Sequence, residues 1–480
     1  MQTKTLKYNF LKNYFSFSIG VWINAVISFF STPVVSWLIN PSEYGKGSMF
    51  LTVYSIMFLI TLFGAPNALM RFYFKRGDRE QLLWSSLIVP INLSIAFAIL
   101  SFIFRKHLNL FLVGQESSNA YLILSLAVFL GVFQVFNQTV IRMQNKGLVY
   151  SALQVVNSLS NIGFVLAYAL LIQRNFYALL YAQLFSKFIT LCVGIYFQRE
   201  YWFPIRVNKH LIKEIVAYSY PFLFSGLLWW LLGWTDRIVL RLYISFTEIG
   251  LYSAGFKLVS VIALFTTGFS TFWHPFAYEQ YEKNPENKVL FSKVFDYISF
   301  LILALALVVI SAKNLIFMLF SSSYRPAAYI APFLLLNPVM LTMAIVVARG
   351  IDFAKKTHWF IVSDGIAALF NLVGNFLLVP IFGTKGAALT TGLSYIIVFL
   401  IESCVSVKLY PVKYNLVRAY VSTGIFIVVA AVNSFIEKAS TGVLSSVVGL
   451  ALVVFLYKDV FKQVVKDLLK LRDLVVRKLR

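Results

Sequence analysis

Charge is what this sequence has least of. Only 13% of its 480 residues are Asp, Glu, Lys or Arg, about half the share with which a soluble chain covers its surface. Water is thereby excluded as the solvent for most of the molecule. Cysteine is nearly absent: Cys192 and Cys404 both lie inside apolar runs. They offer neither a disulfide framework nor a metal-ligand spacing and read as small apolar side chains. Nor does the sequence hold a nucleophile–base pair or a phosphate-cradling glycine loop. It therefore predicts no catalytic site, no metal and no cofactor. The expected class is a transporter, not an enzyme.

What is abundant is apolar. Hydrophobic residues make up 59% of the chain, Phe alone contributes 47, and the mean hydropathy is +0.78. Hydropathy predicts an all-α polytopic membrane protein with about 14 transmembrane helices. They run at roughly 14–38, 47–67, 83–104, 119–141, 149–172, 176–197, 217–241, 248–270, 290–312, 327–348, 358–380, 386–407, 416–436 and 441–457. Lys4, Lys7 and Lys12 lead straight into the first run, which is long enough to span by itself, so no cleavable leader is expected.

The net charge of +23 follows from topology rather than from nucleic acid. Lys and Arg crowd into alternate connections, near 71–79, 142–146, 199–213, 349–356 and 408–418, and into the tail. Their excess over the opposite side is about threefold, which places both termini in the cytoplasm. In the tail, 458–480, Val460, Phe461, Val464, Val465, Leu468, Leu471 and Val475 recur at helical spacing opposite Lys and Arg. That pattern predicts an amphipathic helix on the inner leaflet, with membrane lipids as its partner.

The chain also matches itself. At a shift of 205 residues Glu43-Tyr44-Gly45 meets Glu248-Ile249-Gly250, and Arg71-Phe72-Tyr73-Phe74 meets Phe276-Ala277-Tyr278-Glu279. Near a shift of 209, Tyr177-Ala178-Leu179-Leu180 meets Gly386-Ala387-Ala388-Leu389. The order of the matches predicts two parallel six-helix bundles, 1–208 and 209–410, followed by two extra helices in 411–457 and the tail.

Particular stretches are familiar. Tyr220-Pro221-Phe222-Leu223-Phe224-Ser225-Gly226-Leu227, Trp234-Thr235-Asp236-Arg237-Ile238-Val239-Leu240 and Glu248 to Lys257 resemble the polysaccharide (oligosaccharide-lipid) flippase family. So do Asn371 to Pro380, Gly383 to Ala388, and Asn40-Pro41-Ser42-Glu43-Tyr44-Gly45. The resemblance covers most of residues 10–410. It implies the multidrug/oligosaccharidyl-lipid/polysaccharide exporter fold, two bundles around a central cavity. It also implies an undecaprenyl-pyrophosphate-linked oligosaccharide as cargo, flipped across a bacterial plasma membrane for polysaccharide biosynthesis. Polysaccharide assembly proteins are candidate partners, and H+ or Na+ a candidate coupling ion.

Charges at bilayer depth are costly unless paired or wetted. Lys187 and Lys257 each lie about ten residues into a predicted span, near the midplane. Arg237 and Arg241, four residues apart, share one face of the seventh span. Lys187, Arg237, Lys257 and Arg241 are thus the candidate cationic lining for a pyrophosphate. Asp236 is the candidate gate or charge partner; the alternative is a salt bridge to Arg237 that fixes packing. Arg71, Arg142 and Arg349 could meet a phosphate at the inner entrance, or simply obey the positive-inside rule. Asp296, Asp364 and Glu402, nearer the cytoplasmic helix ends, are either ion carriers or solvated residues.

Two other functions compete. A multidrug antiporter of the same superfamily would want carboxylates and aromatics around an organic cation. A sugar-chain polymerase or ligase would need a long outer loop with acid/base groups, which the short connections do not supply.

Overall fold

The computed structural model describes residues 19–20, 22–75, 77–203 and 205–466. Among them every regular element is helical. The chain packs as two units, Met1–Ser253 and Ala254–Arg480.

The first unit contains α1 (Trp22–Ser36), α2 (Pro41–Leu62), α3 (Ala65–Phe72), α4 (Arg79–Ile103), α5 (Arg105–Val113), α6 (Ala120–Met143), α7 (Gly147–Leu171), α8 (Tyr177–Trp202) and α9 (Lys209–Tyr243). It ends in the first turns of α10 (Phe246–Lys283). The second unit takes the rest of α10. It continues with α11 (Lys288–Ser311), α12 (Leu336–Val347), α13 (His358–Leu409), α14 (Leu416–Phe435) and α15 (Ala439–Leu456).

Eleven of the described helices are long and apolar enough to cross a membrane. In place of the expected straight span 327–348 there is a bent pair, Ser322–Tyr329 and Ala331–Val347, meeting at 55° as a broken span or a re-entrant loop. The 52 residues of α13 would run about 78 Å if straight, far beyond a hydrocarbon core of about 30 Å. Gly383 resolves this. Its φ of 56° and ψ of −133° belong to a backbone that favours glycine, and the chain folds back there. Asn371 Nδ2 donates to Thr391 Oγ1 at 3.3 Å, and Ser363 Oγ donates to Glu402 Oε1 at 3.3 Å, across the two arms. α13 is thus a hairpin that accommodates the separate spans 358–380 and 386–407. Of the expected first span, 14–38, only the part from α1 onward is described, so a count of fourteen is not reached among the described residues. The tail is helical over 458–466, with Val460 buried and the Phe461 ring 6.0 Å from Phe300. The remainder of the expected tail helix, 467–480, lies outside the described residues.

One crossing in the first unit explains a sequence signature. Asn40 caps α2 by accepting the Glu43 amide at 3.0 Å, and Pro41 fills the first turn, where no amide donor is needed. Glu43 holds Lys46 at 2.6 Å and accepts the Phe176 amide at 2.9 Å at the start of α8. Gly45 then lies against the first turn of α10: a Cβ there would collide with the Phe246 carbonyl oxygen, and one on Gly250 would collide with that of Pro41. Three residues further along, the Ser48 and Ser253 hydroxyls share a hydrogen bond of 2.6 Å. The spacing at which the sequence matches itself, 205 residues, is the spacing of this touching serine pair.

Candidate functional site: an aromatic cavity flanked by cations

α2 stops at two successive left-handed residues, Phe63 (φ 52°) and Gly64 (φ 73°). The turn swings α3 away from the axis of α2 and leaves a hollow beside α9. That hollow is a cavity of about 750 Å³, within the usual size of ligand sites. Tyr54, Phe58, Phe222, Trp229, Trp230 and Trp234 supply its aromatic wall, and Ser55, Asn67 and Ser225 its polar groups. No acidic side chain lines it among the described residues.

The wall is built in layers. Gly131 on α6 leaves room for the Tyr54 hydroxyl and the Phe58 ring, which stack at 5.2 Å between centroids. Behind them, from α8, the Lys187 ammonium sits 4.8 Å from the Tyr54 centroid and 5.8 Å from that of Phe58. Lys187 has no ion pair among the described residues. On α9 the Trp230 indole N–H donates to Ser55 Oγ at 2.7 Å. One turn on, Trp234 carries the Arg237 guanidinium 4.8 Å from its centroid. Two cations thus lie against cavity rings, an arrangement that suits the negative π-faces.

The sequence candidates separate on inspection. Arg237 is buried and held by Asp236 at 3.6 Å and by the Gly233 carbonyl at 3.3 Å. Asp236 is more deeply buried still. It accepts the Arg237 amide at 3.1 Å and the Tyr252 hydroxyl. Arg241 points elsewhere. Its guanidinium donates to the Phe111 and Leu110 carbonyls at 2.9 and 3.0 Å, capping the end of α5, and covers Phe246. Lys187 and Arg237 therefore each back a ring of one cavity without being among its described lining residues, and Arg241 does not join them.

Lys257 belongs to the second unit, half-buried, with no ion pair among the described residues. Arg71 is exposed at the end of α3, and Arg142 is exposed beside the Met70 sulfur at 3.4 Å. Arg349 is engaged rather than waiting. It pairs with Asp352 at 2.7 Å, meets His274 Nδ1 at 2.8 Å and donates to the Ile345 carbonyl at 3.0 Å. Burial pushes the Asp352 carboxyl up, against the pull of Arg349. Asp364 and Glu402 are buried, and Asp296 keeps one carboxylate oxygen without a hydrogen bond among the described residues. Sequence reading missed the tryptophans; three Trp within six residues, 229–234 at the middle of a predicted span, was the available signal.

The family described as polysaccharide biosynthesis protein matches residues 10–279, more than half of the chain. The chain belongs to that family. Among curated proteins it is similar to the probable low-salt glycan biosynthesis flippase Agl15 of Haloferax volcanii, with 20% identity over 90% of this chain and 93% of that one. It is also similar to an uncharacterized membrane protein of Methanocaldococcus jannaschii, with 23% identity over 73% of this chain and 75% of the other. Among solved structures it shares the fold of the lipid II flippase MurJ in an inward closed conformation (TM-score 0.69, 17% identity, 94% of this chain and 99% of that chain). The fold extends to an inward-facing multidrug resistance MATE family transporter (TM-score 0.59, 14% identity, 84% of this chain and 99% of that chain). This family member is a multi-pass integral membrane protein with a transporter fold.

Proposed function

We propose that this protein flips an undecaprenyl-pyrophosphate-linked oligosaccharide between the leaflets of a bacterial plasma membrane, by alternating access, to feed polysaccharide assembly. The observation that carries the reading is the cavity wall. Its aromatic rings carry Lys187 and Arg237, and no carboxylate lines it among the described residues. The Lys187 charge, which has no ion pair among the described residues, attracts a pyrophosphate and opposes an organic cation, while Arg237 shares its charge with Asp236. The flippase among the curated relatives supports the cargo class; the MATE fold keeps a drug antiporter as the competing outcome. The potential, negative inside, favours outward movement of an anionic head by about 2.3 kcal/mol per charge per 100 mV.

The test is reconstitution in liposomes with a nitrobenzoxadiazole-labelled undecaprenyl-pyrophosphate glycan, with dithionite to report the accessible leaflet. Wild-type protein should make the inner-leaflet pool accessible, and Lys187→Met and Arg237→Gln should slow this at equal protein content. Efficient flipping by both variants would remove the cations from the mechanism. Ethidium transport without glycan flipping would establish the antiporter instead.

A further inference from the structure

Trp229 is left over once the charges have been accounted for. Trp230 is 7% exposed and fixed through its N–H to Ser55; Trp234 is covered by Arg237. Trp229 lines the same cavity yet remains 51% exposed. A large exposed Trp on a transmembrane helix ordinarily belongs to the headgroup belt. Here it does not. Trp229 lies twenty residues into α9 and fourteen before its end, about 30 Å and 21 Å along the axis, and at the middle of the predicted span 217–241. Its surroundings are also more polar than lipid requires. The Asn67 side-chain amide and the Ser225 hydroxyl make no hydrogen bond to protein among the described residues.

We infer that Trp229 is a sugar-stacking platform, the subsite for a pyranose ring of the lipid-linked cargo; the inference rests on the flippase reading above. The chemistry is complementary on three counts. The face of a pyranose presents C–H groups of slight positive charge, which an indole face with its negative quadrupole attracts. The ring's hydroxyls need donors and acceptors at the rim, which Asn67 and Ser225 provide. The pyrophosphate next to the sugar needs cations, which Lys187 and Arg237 hold against other rings of the same wall. Labour is thus divided: cations for the diphosphate, Trp229 for the sugar. An aromatic organic cation would also stack on indole, and the test below includes it.

The experiment compares two probes on the full-length protein in lipid nanodiscs: undecaprenyl pyrophosphate, and the same lipid bearing one N-acetylglucosamine. Wild type should bind the glycosylated lipid about three- to tenfold more tightly, the size of one aromatic stacking contact. Trp229→Leu should erase that increment, read as the ratio of the two affinities within the variant, and Trp229→Tyr should keep part of it. Apparent melting temperatures of both variants should match wild type, since an exposed residue supports little packing. An equal increment in wild type and Trp229→Leu, or none in wild type while the bare lipid binds, overturns the platform and leaves the flippase reading intact. Binding of neither lipid by wild type overturns the flippase reading and the platform with it. Ethidium binding lost in Trp229→Leu, with no response to either lipid, assigns the platform to a drug.

Discussion

α2 does two opposite things within about 26 Å of its length. At Gly45 and Ser48 it is pressed against the first turns of α10, with glycines letting the backbones touch and serines tied across the contact. From Tyr54 to Leu62 the same helix opens onto a cavity with large rings. Small residues close one stretch and aromatic residues hold the other apart, with no change of secondary structure between them. A helix built this way can seal one end of a pathway while presenting a wall to its contents. Under the alternating-access reading proposed above, α2 would close at its small-residue stretch and line the cargo path at the other.

The comparison breaks most decisively if the sealed stretch is locked. Ser48→Cys with Ser253→Cys replaces a 2.6 Å hydroxyl contact by a pair close enough for a disulfide. Oxidation should abolish flipping, and reductant should restore it, with each single variant unaffected. Full flipping by the oxidised double variant would mean that this crossing never opens during transport.

The open stretch is tested through its cations. Lys187→Met removes the charge at similar side-chain length, so folding should survive or improve, while the flipping rate falls tenfold or more and Lys187→Arg recovers part of it. Arg237→Gln should act on the same wall, and the double variant should lose less than the sum of the two. Lys257→Met, in the second unit, is the informative contrast. A comparable loss there would make Lys257 a second, separate cargo contact; an unchanged rate would confine cargo recognition to the first unit.

A smaller effect is expected from Arg241→Gln. Its guanidinium is consumed by the Leu110 and Phe111 carbonyls, so stability should fall by about 1–2 kcal/mol with little change in flipping per folded molecule. A transport defect as large as that of Lys187→Met would reinstate Arg241 as a cargo ligand.

How much of this could be read from the sequence follows the reach of each interaction. The spans were legible because hydropathy is a local property, and Lys187 stood out because its depth can be counted along one helix. Asn40-Pro41-Ser42-Glu43-Tyr44-Gly45 was legible as a motif, although its reasons are not local: Glu43 reaches the Phe176 amide and Gly45 makes way for Phe246. Arg241 was grouped with Arg237 because both lie on one helical face, with a place at the headgroups as its alternative, yet the carbonyls that occupy it come from α5, 130 residues earlier. The bend at 55° in the span near 327–348 was hidden because hydropathy averages over a break. The cavity was hidden for a related reason: Tyr54 and Trp229 lie far apart in sequence, and only the turn at Phe63 and Gly64 brings their helices to one hollow.

The smallest prediction sets a cation that is already satisfied against Lys187, which is not. Lys313 follows the end of α11, buried, with its ammonium donating to the Asn433 carbonyl at 2.7 Å and lying 4.0 Å from the Tyr329 centroid. Burial pulls its pKa down to about 8, with Lys385 adding to the effect and Glu437 opposing it. In the unfolded chain the same group titrates near its ordinary value, about 10.4. Between those values the unfolded state binds more protons than the folded one, so stability rises as pH rises through this window. The penalty is fully present below pH 8 and relieved as Lys313 loses its proton. From pH 7.5 to 9.5 the gain from this one group should be about 2 kcal/mol. Lys313→Met should flatten that rise by the same amount, read as the pH dependence of the apparent melting temperature in detergent, while leaving glycan flipping at pH 7 unchanged. If wild type and Lys313→Met gain equally between pH 7.5 and 9.5, Lys313 is not the group that titrates, and its contact with Asn433 is wetter than its burial implies.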